Sequence, residues 1–295
     1  MPQGGNAMAQ LALEFLGTGG AFRTPRPGCQ CALCQGAREH GIPWERTGPS
    51  LFVHGPDVLI DTPEESCLQV DRSRIRHIAA GFYSHWHPDH TAGRRMYETR
   101  NWDALRWPPQ NTCTPIYLPP QVAADFETYL GLAENFRYLE SRGLVKVHPF
   151  DGPLTLGGWQ VTAFPLAESY VYAFLFQELD GHRRVLIAMD ELLGWTPPPA
   201  LAGVELAVLP AGVFEFHPLT GRRLIPADHP VLQTEATFRQ TLAMVEQLRP
   251  QRLIFAHLEE PFGLTPPELE RLAEDLGRQR GWDVTFAYDT LMVEL

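Results

Sequence analysis

His85, His87, Asp89 and His90 fall within six consecutive positions as His-x-His-x-Asp-His, inside the stretch Tyr83-Ser84-His85-Trp86-His87-Pro88-Asp89-His90-Thr91. Neutral imidazoles and a carboxylate suit zinc, manganese or iron. The bland alternative is a polar loop that happens to hold three histidines. With 11 His in 295 residues, chance is a poor account of four ligand types packed this closely. The apolar run at 78–83 predicts a buried strand before the motif, and 91–97 predicts the first turns of a helix after it. In an extended segment His85 and His87, two apart, point the same way. Pro88 then turns the chain, so that Asp89 and His90 can face a second ion beside the first.

A second cluster is Gly28-Cys29-Gln30-Cys31-Ala32-Leu33-Cys34. Three thiols at this spacing can reach one tetrahedral ion, with the fourth ligand supplied from elsewhere. The other reading is a reduced, metal-free loop. An odd total of five cysteines does not read as a disulfide framework, and the isolated Cys67 and Cys113 are expected to be buried free thiols.

Further candidates lie at the ends of predicted strands. Asp190 closes the run Val185-Leu186-Ile187-Ala188-Met189, where a carboxylate can bridge two cations. His257 closes Leu253-Ile254-Phe255-Ala256. Asp61 ends a strand at 58–61 and reads either as a support for a ligating histidine or as a plain turn residue. Gly17-Thr18-Gly19-Gly20-Ala21 reads as a tight structural turn near the site; no Gly-Lys-Ser/Thr follows that would make it a phosphate-cradling loop. His40, His54, His77, His148, His182 and His217 have no ligand partner at useful spacing and read as surface or satisfied core histidines. The connection at 94–120, rich in Trp102, Trp107, Pro108 and Pro109, either walls a pocket or covers the core.

The elements that must position these residues are strand-rich. Strands are predicted at 11–16, 50–53, 58–61, 78–83, 145–149, 159–165, 172–179, 184–189, 206–209 and 253–256. Asp180-Gly181 is predicted as a hairpin turn, and 284–287 with 291–294 as a final hairpin over Asp289-Thr290. Helices are predicted at 64–72, 234–247 and 265–279, the last with a Thr265-Pro-Pro-Glu268 capping box. The organisation expected is a flexible N-terminus at 1–10 and one domain over 11–295, with two similar strand-helix halves.

Composition narrows the function. Lys+Arg 24 against Asp+Glu 35 gives a net charge of −11, which disfavours a general nucleic-acid surface. There is no run of about eighteen apolar residues, so no membrane span is expected, and no signal peptide is visible; a cytoplasmic location is the expectation.

The His85-x-His87-x-Asp89-His90 motif after a strand, Asp190 and His257 at later strand ends, and Leu16-Gly17-Thr18-Gly19 near the start together resemble the metallo-β-lactamase superfamily, over nearly the whole chain from Leu11. The resemblance implies an α/β fold: a four-layer αβ/βα sandwich, two mixed sheets packed face to face with helices outside. Gly17-Thr18-Gly19-Gly20-Ala21 followed by Cys29-x-Cys31-x-x-Cys34 most resembles the phosphoribosyl cyclic phosphate phosphodiesterases (the PhnP-like family). That implies hydrolysis of a small cyclic or linear phosphodiester, phosphoribosyl or nucleotide-like, by a metal-held hydroxide. His85 and His87 would hold one ion, Asp89, His90 and His257 the second, and Asp190 would bridge them. The ions expected are two divalent metals, zinc or manganese, with iron as an alternative. His229, in Ala227-Asp228-His229-Pro230, matches a family histidine that donates a proton or clamps phosphate; as a residue in a loop it has an equally plain reading. The cysteines would hold a separate structural zinc.

Two positions depart from that pattern. Where the family has a Pro-Leu-x-His ligand, this chain reads Pro165-Leu166-Ala167-Glu168, so Glu168 is the expected replacement in the first site and would favour harder ions. The fourth ligand of the structural zinc falls on Glu260, with His40 as the other candidate. The partner expected is a small-molecule phosphodiester, with homodimerisation left open. tRNA 3′-end processing is disfavoured by the charge. A carrier or oxidative protein like those of pyrroloquinoline quinone biosynthesis, or a non-hydrolytic binding protein on the same fold, is the alternative.

Overall fold

Val, Ile, Leu and Phe fill the strands, as pleated segments buried on both faces require. The computed structural model describes residues 11–179 and 181–295. One sheet contains β1 (Ala12–Gly17), β2 (Ser50–His54), β3 (Val58–Ile60), β4 (Ala80–Phe82), β5 (Thr114–Leu118), β6 (Val145–Pro149) and, beside β1, β14 (Met292–Glu294). The other contains β7 (Leu154–Leu156), β8 (Trp159–Pro165), β9 (Tyr172–Glu178), β10 (Arg184–Ala188), β11 (Leu206–Pro210), β12 (Arg252–Ala256) and β13 (Val284–Phe286), in reverse spatial order. Both are mixed. β1 pairs antiparallel with β2, but β3 pairs parallel with β4; β9 pairs antiparallel with β10, but β10, β11, β12 and β13 run parallel.

The two-residue period of a strand divides the apolar residues between layers. In β10, Val185 and Ile187 point between the sheets, while Leu186 and Ala188 point to the helices on the outer face. Between the sheets Leu13, Phe15, Val53 and Phe82 meet Phe174, Phe176 and Val208, with the Phe82 and Phe174 ring centroids 5.3 Å apart. Helices α4 (Met96–Asn101), α5 (Pro120–Thr128) and α6 (Leu132–Ser141) cover the outside of the first sheet through Tyr97, Phe126 and Phe136. On the outside of the second, α8 (Phe238–Leu248) and α9 (Pro266–Arg280) contribute Met244, Val245, Leu269 and Leu272. The expected four-layer αβ/βα sandwich is thus the observed one. Helix α9 begins as its sequence predicts, with Glu268 accepting from the Thr265 amide at 2.9 Å and Pro266 in the first turn.

Several local expectations give way to tertiary packing. The final hairpin does not form: β13 adds to β12 in one sheet and β14 adds to β1 in the other, so Asp289 and Thr290 carry the chain between sheets. Buried Asp289 accepts from the amides and hydroxyls of both Thr18 and Thr47, at 2.6–2.9 Å, and from Arg72 at 2.5 Å. The helix predicted from 234 starts at Phe238, because Thr237 forms its cap with Gln240. The helix expected at 64–72 is α2 (Ser66–Arg72). Cys67 and Cys113 are exposed, not buried. Trp107 is 93% exposed and Trp102 40%, so these two indoles neither cover the core nor wall the cavity described below. Residues 1–10 and Asp180, of the expected flexible terminus and hairpin turn, lie outside the described residues. No helix among the described residues is long and apolar enough to cross a membrane.

Asp289→Ala would leave five donors, one of them a guanidinium, without their buried acceptor. It is expected to lower unfolding free energy by about 3–5 kcal/mol, read from urea denaturation. A loss below about 1 kcal/mol would show that the cluster behaves like a solvated surface pair.

Candidate metal centre

Four strand ends converge on one edge of the sandwich. β3 leads into Asp61, β4 into Ser84 and His85, β10 into Asp190, and β12 into His257. The motif after β4 turns as Pro88 requires. His87 keeps an extended backbone, Pro88 takes the first position of α3 (Pro88–Thr91), and Asp89 and His90 follow in that helical turn.

The side chains gather as two groups, His85, His87 and Asp190, and Asp89, His90 and His257, with the ligand atoms of each group within 4.8 Å of one another. Asp190 stands between them. Its Oδ2 is 3.3 Å from His85 Nε2 and 3.7 Å from His90 Nε2, and its Oδ1 is 3.3 Å from His257 Nε2. Asp89 Oδ2 lies 3.3 Å from His90 Nε2 and 3.7 Å from His257 Nε2.

The Nε2 atoms of His85, His90 and His257 are buried without hydrogen-bond partners among the described residues. Each unmet buried group costs about 1–3 kcal/mol, and three of them face two carboxylates. These residues fit a pair of divalent cations, each with three protein donors and room for a further ligand, the pattern of catalytic rather than structural sites. The far sides of the rings are already held. Asp61 Oδ2 is 2.8 Å from His90 Nδ1 and also accepts from the Ser84 hydroxyl, while Asp61 Oδ1 accepts from the Ser84 amide. Glu259 Oε1 sits 3.7 Å from His257 Nδ1 and accepts from the Ala21 amide. Asp61 and His257 both have left-handed backbones, φ 60° and 52°, a conformation costing about 1–3 kcal/mol outside glycine and concentrated at functional sites. A Cβ on Gly20 would lie 2.1 Å from Glu259 Oε1 and 2.9 Å from His257 Nδ1. The early glycine turn is therefore bare where it passes behind the ligand.

Charge follows from burial. Desolvation drives the His85 and His87 imidazoles toward the neutral form that ligates, with His87 pushed down to about 4. For His257 the nearby Asp190 and Asp89 outweigh burial and lift it to about 9; Asp89 and Asp61 likewise outweigh burial and lift His90. Burial opposes ionisation of Asp89 and Asp190, but the surrounding imidazoles hold both well below the usual carboxylate range.

The cysteine loop gathers at a separate place. Glu260 Oε1 lies 3.4, 3.0 and 2.8 Å from the sulfurs of Cys29, Cys31 and Cys34. His40 is instead beside Glu39 and Trp44, so Glu260 and not His40 is the residue that could complete this cluster. Glu260 Oε2 has no hydrogen-bond partner among the described residues, but Arg26 Nε is 3.4 Å away. Three thiols and one carboxylate oxygen around a single point fit one tetrahedral ion.

Glu168 is not brought to the first group. Its backbone carbonyl accepts from Val171 in the bend after β8, where Leu166 turns inward and the Glu168 side chain is exposed. The neighbour on that side is Tyr170, whose ring lies 5.5 Å from His87 and 6.1 Å from His85; burial, then Asp190, pushes its phenol up to about 12. Neither spacing nor pattern singled out Tyr170 or Glu259; Glu259 follows His257 closely enough that its place beside the site was the more readable of the two. His229 is exposed in the turn before α7 (Val231–Thr234). It lines a cavity of about 520 Å³ together with Asp190 and His257, and its Nδ1 accepts from the Val231 amide at 3.1 Å.

A sandwich of two mixed sheets carrying paired imidazole–carboxylate groups at its strand ends is an architecture that could hold divalent metal ions. The chain belongs to the beta-lactamase superfamily domain family, which its residues 54–258 match. Among solved structures it is similar to a diphosphatase from the PhnP family (23% identity, 97% of this chain and 98% of that one, TM-score 0.69). It is also similar to zinc-bound PqqB from Methylobacterium extorquens (17% identity, 96% and 100%, TM-score 0.68). The metallo-beta-lactamase fold protein YhfI from Bacillus subtilis follows (15% identity, 97% and 100%, TM-score 0.65). No curated protein sequence matches significantly.

Asp61→Asn keeps the shape but loses the charge that fixes His90, and metal affinity is expected to fall about 10- to 100-fold, measured by chelator competition; unchanged affinity would show that Asp61 serves folding alone. Cys31→Ser is expected to remove one metal equivalent from the purified protein by elemental analysis, and an undiminished metal content would rule out an ion at the cysteine cluster.

Proposed function

We propose that the protein is a metal-dependent hydrolase of small phosphodiesters. The observation that carries this reading is the placement of Asp190, whose carboxylate oxygens face histidines of both ligand groups within 3.7 Å. Divalent ions held there would supply Lewis acidity toward a phosphoryl oxygen and lower the pKa of water. The chain's own residues supply the rest. Asp89 and Asp190 would help hold divalent ions and offset their charge. Asp61 and Glu259 orient His90 and His257 from behind. Because His229 Nδ1 accepts from the Val231 amide, its Nε2 is the nitrogen left to donate at the cavity mouth, to a phosphoryl oxygen or to the departing alcohol.

With Glu168 turned outward, the carboxylates on the ions reduce to Asp89 and Asp190. The tilt toward manganese or iron that a third carboxylate would give is removed, and zinc is the first choice for this donor set. The −11 net charge argues for a small substrate over a polynucleotide. A carrier role has one point in its favour, the largely apolar cavity, but it leaves Asp190 and the three-donor groups without a task.

Zinc- or manganese-loaded protein is expected to hydrolyse bis-p-nitrophenyl phosphate, and Asp190→Ala to reduce kcat/KM by about 100-fold or more. Hydrolysis no faster than that of Asp190→Ala defeats the proposal.

A further inference from the structure

The cavity beside His257, about 520 Å³, is of the size that holds a small molecule. Much of its wall is apolar: Leu192, Val213 and Ile225 are buried, and Leu224 and Phe262 are half-buried against the same outer core of the second sheet. Polar side chains interrupt this wall, and nearly all of them are already engaged. Glu191 accepts from the backbone amides of Leu193 and Ala236, the latter at 3.1 Å. Glu259 accepts from the amides of Ala21 and Phe22, at 2.9 and 3.3 Å. Arg26, the one arginine of the lining among the described residues, has its Nε 3.4 Å from Glu260 and its Nη2 on Cys29. Thr241, on α8, is fully buried, so its hydroxyl is out of a ligand's reach. Asp190 and His257 belong to the ligand groups, and His229 stands at the mouth. Glu235 is then the remaining polar side chain of the wall.

What such a wall accepts follows from what it leaves unpaired. A sugar or polyol would carry several hydroxyls into the chamber against a single available carboxyl, and each hydroxyl stripped of water without a partner weakens binding. A second phosphate or a carboxylate would find no free guanidinium or ammonium inside. An uncharged apolar group has no hydrogen bonds to lose there and gains by leaving water.

We propose that this cavity receives an uncharged apolar ester group of the substrate, aryl or branched alkyl, packed along Leu192, Val213, Leu224 and Ile225. The substrate class is then a phosphodiester of an apolar alcohol, an assignment that rests on the hydrolase reading for its phosphate end only. Diesters that would place a sugar or a second anion in the chamber, those of the phosphoribosyl kind included, are poor substrates.

Two measurements test it. The first follows by phosphorus NMR the loss of methyl phosphodiesters whose second alcohol is methanol, benzyl alcohol, glycerol or 3-hydroxypropanoate, so that only the second group can fill the chamber. The benzyl ester is expected to exceed the other three in kcat/KM by about 10- to 100-fold, mostly through KM. In the near-isosteric Val213→Thr and in Leu224→Asn that advantage is expected to shrink toward one. The second measurement is calorimetric titration of the metal-loaded protein with 2-naphthol, with 6-hydroxynaphthalene-2-sulfonate as the charged comparison. Binding is expected for the naphthol, about 10-fold or more tighter than for the sulfonate, and weakened in both variants. Equal kcat/KM for the four esters with no naphthol binding overturns the cavity assignment and leaves the hydrolase intact. A benzyl advantage or a naphthol affinity that neither variant lowers places the apolar group elsewhere and also overturns it. Naphthol binding that both variants weaken, with no ester hydrolysed, supports the cavity and overturns the hydrolase.

Discussion

Taking a carboxylate out of water costs several kcal/mol unless opposite charge and hydrogen-bond donors replace its hydration, and Asp190 is buried at 9% exposure in a site with no arginine or lysine beside it. What replaces water is the arc of His85, His90 and His257. Those imidazoles are themselves buried, so the arrangement is stable only if something cationic lies between nitrogens and oxygens. Protons on the histidines can serve in part, since His257 is lifted to about 9 by Asp190 and Asp89 against the cost of burial. Protons cannot serve His85 and His87, which burial drives neutral. A divalent cation would answer both requirements with one species, and the rest of the edge keeps these six side chains in place.

Keeping them there requires the two sheets to meet in one relative position, because His85 and His90 follow the first sheet while Asp190 and His257 end strands of the second. Asp289 contributes to that constraint far from the ions. It ties the turn after β1 and the segment before β2 to the crossing between β13 and β14, and Leu258 donates to the Thr18 carbonyl at 2.9 Å in the same turn. Thr18 therefore links the inter-sheet crossing to the residue after His257. The left-handed backbones at Asp61 and His257 are affordable for the same reason: each sits between segments already fixed by sheet pairing.

Much of this was legible in the sequence. The spacing of His85, His87, Asp89 and His90 contains its own geometry, since Pro88 forces the change from strand to helix that divides the four between two groups. Asp190 and His257 were readable because a polar residue that ends a continuous apolar run sits at a strand end, where ligands gather. Other features depended on partners far away in the chain. The segment at 114–118, with Pro115 inside it, reads as a connection until β4 and β6 flank it as β5. The closing hairpin had turn residues between two apolar runs, but each run found a longer-range partner with more to bury. Glu168 occupies the sequence position of a ligand, yet the bend through Ala167 and Ser169 turns it to solvent and leaves Tyr170 beside the histidines.

The cavity meets the two ligand groups through the second sheet, at Asp190 and His257. Asp190 and Glu191 are consecutive, so the strand that delivers the carboxylate between the two groups also delivers a carboxyl to the cavity wall. Glu191 in turn accepts from the Ala236 amide, one residue after Glu235 and one before the Thr237 cap of α8, the helix that carries Thr241. A shift of α8 along the sheet would move Glu235 and Thr241 together and pull on Glu191 through that hydrogen bond. Among the described residues His85 and His87, held by the motif after β4, do not line the chamber. Displacements of the 212–241 segment should therefore reach Asp190 before they reach His85 or His87.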